Sequence, residues 1–401
     1  MKISKRIGAL EESQSLQMAA RCQQLRAEGV DVISMSLGEP DFAAPQHVKD
    51  AAKKAVDDDY SHYGPTPGFP SLRQAIVKTL NEELSAYPVR PYDANEVIVS
   101  VGAKQAICNA IQALIDPEDE VILPTPCWVS YVEMVKLAEG KSVLVKTTME
   151  NDYCLTPEQL EAAITSKTRL LLICTPNNPT GAVYSHERLA ALVEVLKKHP
   201  QITVLADEIY EHILYTGKHE SLGQFPELED RLVIINGVSK AYAMTGYRIG
   251  WMASHDKGLI GACKRLQGQM ITCATTVAQK AAEAAYTGPQ ECVAEMREAF
   301  HRRRDLIVRL AKEIPDLKIV EPQGAFYLFP DVSAYFGKSY NGKVVNNATE
   351  LVDYLLNEAH VACVSGSAFG EDKCIRFSYA TSEDKITEAM RRVKEALARL
   401  K

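Results

Sequence analysis

The chain has 10 cysteines in 401 residues, yet no two stand as CxxC and none is spaced with histidine as zinc ligands are. Scattered thiols of this kind read as reduced and structural, the usage of a cytoplasmic protein. No stretch approaches the roughly 20 apolar residues that cross a bilayer. The basic start MKISKRIGALEESQSLQM also lacks the apolar run that a signal peptide places behind its charges. Positive charge is not in excess: 45 Lys and Arg face 52 Asp and Glu, a net charge of −7 that argues against a nucleic-acid partner. Several catalytic signatures are missing as well. No GxGxxG follows an early strand, so a dinucleotide-binding fold is disfavoured. No HExxH or Cys/His cluster supports a metal enzyme among the 9 histidines. No GxSxG elbow occurs, and SGSAFG at 365–370 has the wrong spacing for one.

What is present is an ordinary globular mix, 46% hydrophobic and 24% charged, long enough for two domains. From about 95 to 255 the chain repeats short β-rich apolar runs, each leading into a turn or a helical pattern. VIVSV (97–101) precedes AKQAICNAIQALI, in which Ile107, Ile111 and Leu114 fall at helical spacing. Further strands are read at 121–123, 170–174, 202–205, 232–235 and 247–252, with a helix near 186–198. Continuous apolar runs alternating with helices indicate an α/β fold with a mainly parallel sheet covered on both faces. After residue 276 come long helices and then short strands near KIVEP, GAFYLFP, VACVSG and CIRFSYA. This is read as a smaller α+β domain. The division expected is 46–285 for the large domain, with 1–45 and 286–401 forming the small one.

Ligands of open α/β sheets sit beyond the carboxyl ends of the strands. Gly102, Asn178, Asp207 and Lys240 all follow strand ends, which focuses attention on one crevice. In INGVSKAYAMTGYRIGW (235–251) a lysine follows a strand, and Arg248 comes eight residues later. Lysine forms imines with aldehydes, and a low-dielectric site lowers its pKa enough to make it nucleophilic. Alone, Lys240 would more readily be a solvated turn lysine. Asp207, in ADEIY, ends an apolar strand where a carboxylate is costly without a partner, and a protonated pyridine nitrogen is such a partner. A helix N-cap is the plainer alternative for Asp207.

The ordered set SKxxxMxGxRxG, DExY, PNNPTG and RFSYA resembles the class I/II aminotransferases of pyridoxal-phosphate (PLP) fold type I. The resemblance runs from SLGEPDF (36–42) to IRFSYA (375–380). VGxKQA, WVSY, NGxxKAxAMTG and YATSE add similarity to the bacterial aspartate aminotransferase subgroup. Fold type I implies a large domain with a mainly parallel sheet flanked by helices and a smaller α+β domain.

The resemblance implies roles residue by residue. Lys240 would form a Schiff base with pyridoxal 5′-phosphate and carry the proton shift. Asp207 would pair with the pyridinium nitrogen, Asn178 and Tyr210 would bond the phenolate oxygen, and Trp128 would stack on the ring. Gly102, Ala103 and Lys104 open a helix whose free N–H groups suit a phosphate. Arg248 and Ser239 would complete that cradle, with Tyr63 reaching in from a second subunit of a homodimer. Gly237 stands where many relatives carry serine, a mark of the aspartate subgroup. Arg376, whose planar fork matches a carboxylate, would take the substrate α-carboxylate with help from Gly38 and Asn178. Lys104, assisted by Ser15, would reach a distal carboxylate. The implied reaction is ping-pong transfer of an amino group between aspartate and 2-oxoglutarate. Prephenate is an alternative substrate, and a PLP-dependent C–S lyase is a weaker alternative.

Overall fold

The structure is a computed structural model and describes residues 1–401. Its centre is a seven-stranded sheet. The strands are β1 (Val97–Val101), β2 (Glu120–Thr125), β3 (Lys141–Lys146), β4 (Thr168–Cys174), β5 (Thr203–Asp207), β6 (Leu232–Gly237) and β7 (Ile249–Ala253). Their spatial order is β1-β7-β6-β5-β4-β2-β3. Only β7 runs against the others; its ladders with β1 and β6 are antiparallel and the remaining four are parallel.

Alternation along each strand sends side chains to two separate cores. Ile98, Leu172, Leu205, Val233 and Met252 join one, packed under α1 (Gly102–Leu114), α2 (Ser130–Leu137) and much of the C-terminal third of the chain. Val99, Leu171, Val204, Ile234 and Trp251 join the other, against the helices Pro70–Leu84, His186–Leu196 and Thr276–Thr287. Both faces are covered, so the interior strands read as unbroken apolar runs. The edge strand β3 is different: KSVLVK carries a lysine at each end and is largely accessible. Charged edges prevent sheet-to-sheet pairing, and they also hide the strand from a search for apolar runs.

The C-terminal part holds a three-stranded antiparallel sheet in which Ile375–Ser378 lies between Val364–Ser365 and Tyr327–Leu328. Ile33–Ser34 pairs in parallel with Val361–Ala362, tying the N-terminal segment to this region. VACVSG is therefore two short strands with different partners. KIVEP forms no strand, contributing only a bridge between Lys318 and Asp331. Pro322, four residues on from Lys318, could not donate to a longer ladder. The helix Thr276–Thr287 runs past residue 285, the expected end of the large domain, and the first break in helical structure falls at Gly288–Gln290.

Candidate active site

The register of the sheet gathers the chemistry-bearing residues along one edge. Cys174 stands beside Asp207, Asp207 beside Ile235, Gly237 beside Gly250 and Val101 beside Ile249. Because β7 is reversed, its beginning meets the carboxyl ends of its neighbours. Arg248, immediately before it in a left-handed conformation (φ 56°), therefore faces the same crevice as Gly102 and Lys240. Glycine makes the approach of these elements possible. A Cβ on Gly237 would meet Gly250 Cα at 2.7 Å, and one on Gly250 would run into the backbone of Gly102 and Ala103. A Cβ on Gly102, itself at φ +74°, would meet Arg248 Nη2 at 2.5 Å. The glycine at 237 thus has a steric cause.

A cavity of about 310 Å³ opens at this edge. Lys240, Asp207, Tyr210, Asn178, Trp128, Ala103, Lys104, Ser239, Arg248, Arg376, Gly38 and Ser15 line it together. Gly102 is buried directly behind Arg248. Tyr63 is not among the lining residues and is 88% exposed.

Lys240 donates from Nζ to the Gly38 carbonyl at 2.6 Å. Burial lowers its pKa to about 8, with Arg248 and Arg376 pushing the same way and Glu39 opposing them. On the floor lies Asp207, 3% exposed and in no ion pair. Burial pushes its carboxyl up to about 6, against the pull of two donors: the Tyr131 hydroxyl at 2.5 Å and the Ile209 N–H at 3.3 Å. No helix follows Asp207, so the N-cap alternative does not apply. Arg376 is almost fully buried. Nη1 donates to Asn178 Oδ1 at 2.8 Å, Nη2 donates to the Ser36 carbonyl at 2.6 Å and to Ser15 Oγ at 3.5 Å, and Nε has no partner. Its guanidinium carbon lies 4.5 Å from the Tyr327 ring centre and 4.8 Å from that of Phe369. The Lys104 amine stands 4.7 Å above the Trp128 ring, and its pKa is lowered by burial and then by Arg248.

Four cationic side chains thus line the cavity (Lys104, Lys240, Arg248 and Arg376) against two carboxylates, Glu39 and Asp207. None of the four makes a salt bridge. An enclosed excess of positive charge calls for anionic ligands.

Residues 30–393 match the family model of the aminotransferases of class I and II. The chain belongs to this family. It is a family of pyridoxal-phosphate-dependent transaminases, and the chain is an enzyme of that kind. An aspartate aminotransferase of Geobacillus stearothermophilus is 44% identical, with 98% of each chain covered. A bifunctional aspartate aminotransferase and glutamate/aspartate-prephenate aminotransferase of Petunia hybrida is 42% identical over the whole of this chain and 84% of its own length. Among solved structures, the aspartate aminotransferase of Rhizobium meliloti superposes with a TM-score of 0.95 at 41% identity, each chain covered in full. The fold is therefore fold type I, as expected.

The aminotransferase's cavity also contains residues that sequence reasoning passed over. Tyr327 bonds the Tyr210 hydroxyl at 2.9 Å and underlies Arg376. Thr245 donates to Glu39 at 2.5 Å, and Arg248 Nη1 donates to the Thr245 carbonyl at 2.9 Å. Tyr131 and Cys174 complete the floor. Thr245 and Glu39 lie inside the quoted motifs, which was the available signal; nothing local marks Tyr327. Next to Asp207, Glu208 is absent from the cavity lining. It accepts from Ser221 Oγ and Leu222 N–H, and His219 Nε2 lies 3.3 Å from its carboxylate.

Proposed function

We propose that this aminotransferase binds pyridoxal 5′-phosphate in the cavity at Lys240 and transfers an amino group between L-aspartate and 2-oxoglutarate, giving oxaloacetate and L-glutamate. The observation that carries the proposal is one cavity lined by four cationic side chains, none in a salt bridge, with the buried carboxylate of Asp207 on its floor. The residues fit the cofactor on two counts. Asp207 is a buried carboxylate without a cation, the environment a ring N–H⁺ would satisfy. Helix α1 starts where only glycine is tolerated beside Arg248, leaving its backbone N–H groups for a phosphate.

Bound there, the cofactor supplies an electron-withdrawing ring that spreads the charge left when the substrate α-proton departs. The protein's side chains do the rest. Lys240 Nζ, partly neutral near pH 8, carries the cofactor and then takes and returns the α-proton. Asp207 keeps positive charge at the ring nitrogen, and Trp128 offers its face to the ring. Asn178 already gives its oxygen to Arg376, so its amide N–H₂ is left to donate beside the Tyr210 hydroxyl. Arg248, Ser239 and the Gly102–Lys104 turn hold the phosphate. Arg376 has an unused Nε–H for the α-carboxylate, near Gly38, and Lys104 with Ser15 meets the distal carboxylate. Maleate, also a dicarboxylate, is present in the structure of an aspartate aminotransferase of Thermus thermophilus, 38% identical and with a TM-score of 0.91 over 99% of this chain and all of that one. Prephenate also carries a second carboxylate that Lys104 could take, and the Petunia relative acts on it by name.

Three further parts of the reading concern assembly. A homodimer would let exposed Tyr63 reach the phosphate of a second copy. The large cofactor-binding domain would be 46–285, with 1–45 and 286–401 forming the small domain. No helix is long and apolar enough to cross a membrane, and a cytoplasmic location agrees with ten free cysteines.

The test is the visible absorption of the holoenzyme as single amino acids are added. Aspartate and glutamate should bleach the cofactor band while alanine and phenylalanine do little. A band that no amino acid alters would refute the transaminase assignment. Bleaching by alanine as readily as by aspartate would refute the role of Lys104.

A further inference from the structure

The floor of the cavity holds a contact that none of the assigned roles uses. Tyr131, in helix α2 and 1% exposed, donates its hydroxyl to Asp207 Oδ2 at 2.5 Å. The Cys174 thiol lies beside the same hydroxyl. Trp128 packs edge-on against its ring, with centres 5.4 Å apart at 86°. One turn of chain thus supplies both the ring offered to the cofactor's face and the donor beneath Asp207. Oδ1 of the same carboxylate accepts from the Ile209 N–H at 3.3 Å.

We propose that Tyr131 is a positioning residue: its hydroxyl keeps the Asp207 carboxylate ionised and turned toward the cofactor's ring nitrogen. The inference rests on the pyridoxal-phosphate reading only for its second half; the effect on Asp207 belongs to the protein alone. The physical argument is one of competition. Burial alone drives a carboxyl toward its neutral form, which cannot hold a proton on a pyridine nitrogen. Two donors oppose that drive, and the phenol is the shorter and more fully enclosed. The groups facing Asp207 are few. Lys240 favours its charge, whereas Glu208 on the neighbouring residue disfavours it. Burial holds the Cys174 thiol in its neutral form, well above its ordinary range. Tyr131 is likewise held neutral by burial first, then by Asp207, so it remains a donor.

A tyrosine there could simply fill the core, which its ring does. Tyr131→Phe keeps the ring and removes only the oxygen. Asp207 is followed by carbon NMR on carboxyl-labelled aspartate in the apoenzyme, its signal assigned by loss in Asp207→Asn. Losing a hydrogen bond to a charged group should raise its titration midpoint by about one to two pH units. The apoenzyme should melt somewhat lower at pH 7, because a higher Asp207 midpoint adds to the cost of holding that carboxylate ionised. The holoenzyme should release pyridoxal phosphate roughly tenfold faster, in keeping with a pairing weakened by about one such unit. A second substitution guards against a folding failure: 3,5-difluorotyrosine at 131, a stronger donor, should move the midpoint down. An unchanged Asp207 midpoint in Tyr131→Phe, or shifts of the same sign in both variants, would overturn the proposal. A raised midpoint with unchanged cofactor retention would leave the ionisation argument intact and overturn the pairing of Asp207 with the ring.

Discussion

Lys240 gives the sharpest quantitative expectation. Its pKa falls from an ordinary 10.5 to about 8, chiefly through burial. At pH 7.5 an amine with pKa 8 is about one-quarter neutral, against roughly one part in a thousand at 10.5, so the nucleophilic fraction rises about 240-fold. Competitive labelling of the apoenzyme with acetic anhydride, read by mass spectrometry on the peptide bearing Lys240, measures that midpoint directly. A midpoint near 8 is expected; one near 10.5 would refute the claim that the site dehydrates the amine. Glu39 is the strongest group opposing the shift, so Glu39→Gln should move the midpoint lower still, and a rise would refute that counter-ion role. Stability should follow with a definite sign. The unfolded chain keeps the lysine proton up to about 10.5 while the folded protein releases it near 8, so the apoenzyme gains stability as pH rises between them. Apo Lys240→Met should therefore be more stable than wild type at pH 7, by about 3 kcal/mol at 1.36 kcal/mol per pKa unit, with the gap closing above about pH 10.5.

Asp207 should show the opposite slope. Its carboxyl rises from 3.8 to about 6 in the fold, so the apoenzyme loses stability as pH climbs through that window. Apo Asp207→Asn should melt higher than wild type at pH 7 and equal to it near pH 3.5; a gap that persists at the lower pH would refute the assignment. Arg376→Lys leaves a point charge that cannot serve Asn178, Ser36 and a ligand at once. A loss of about 3 kcal/mol, or 10²-fold in kcat/KM, is expected for amino and oxo acids alike. An effect on only one substrate class would refute its proposed role. Gly250→Ala should destabilise the protein by at least 2 kcal/mol, roughly, because its methyl group meets packed backbone that cannot yield as a side chain would. Calorimetry on the variant decides this, and a neutral substitution would contradict the packing.

Much of this was legible in the chain because two different signals coincided. Strands buried on both faces show as apolar runs, and VIVSV was bounded correctly to the residue. Polar residues placed after such runs stand out, which is why Asp207, Asn178 and Lys240 could be singled out. The rest was hidden for physical reasons. Lys141–Lys146 is an edge strand whose lysines break the pattern. Tyr131 closes the WVSY motif, but nothing in those four residues says that its hydroxyl meets Asp207, and Tyr327 sits in a run that reads as core packing; only the fold brings their hydroxyls to Asp207 and Tyr210. Tyr63 is the reverse case, a motif residue that the fold leaves outside the cavity of its own chain.

The reversed strand β7 has a consequence for how the site could vary. With β6 it forms a hairpin, and the turn of that hairpin carries both Lys240 and Arg248. The covalent anchor and the anion clamp are thus one local unit, set by the pairing of two neighbouring strands. Gly237 opposite Gly250 is the only pairing there that admits such close backbones. Sliding one strand by a single residue would place a side chain in that gap and turn the facing residues over. The two glycines act as a register lock, and insertions that lengthen the turn without disturbing them would separate the lysine from the arginine while leaving the sheet intact.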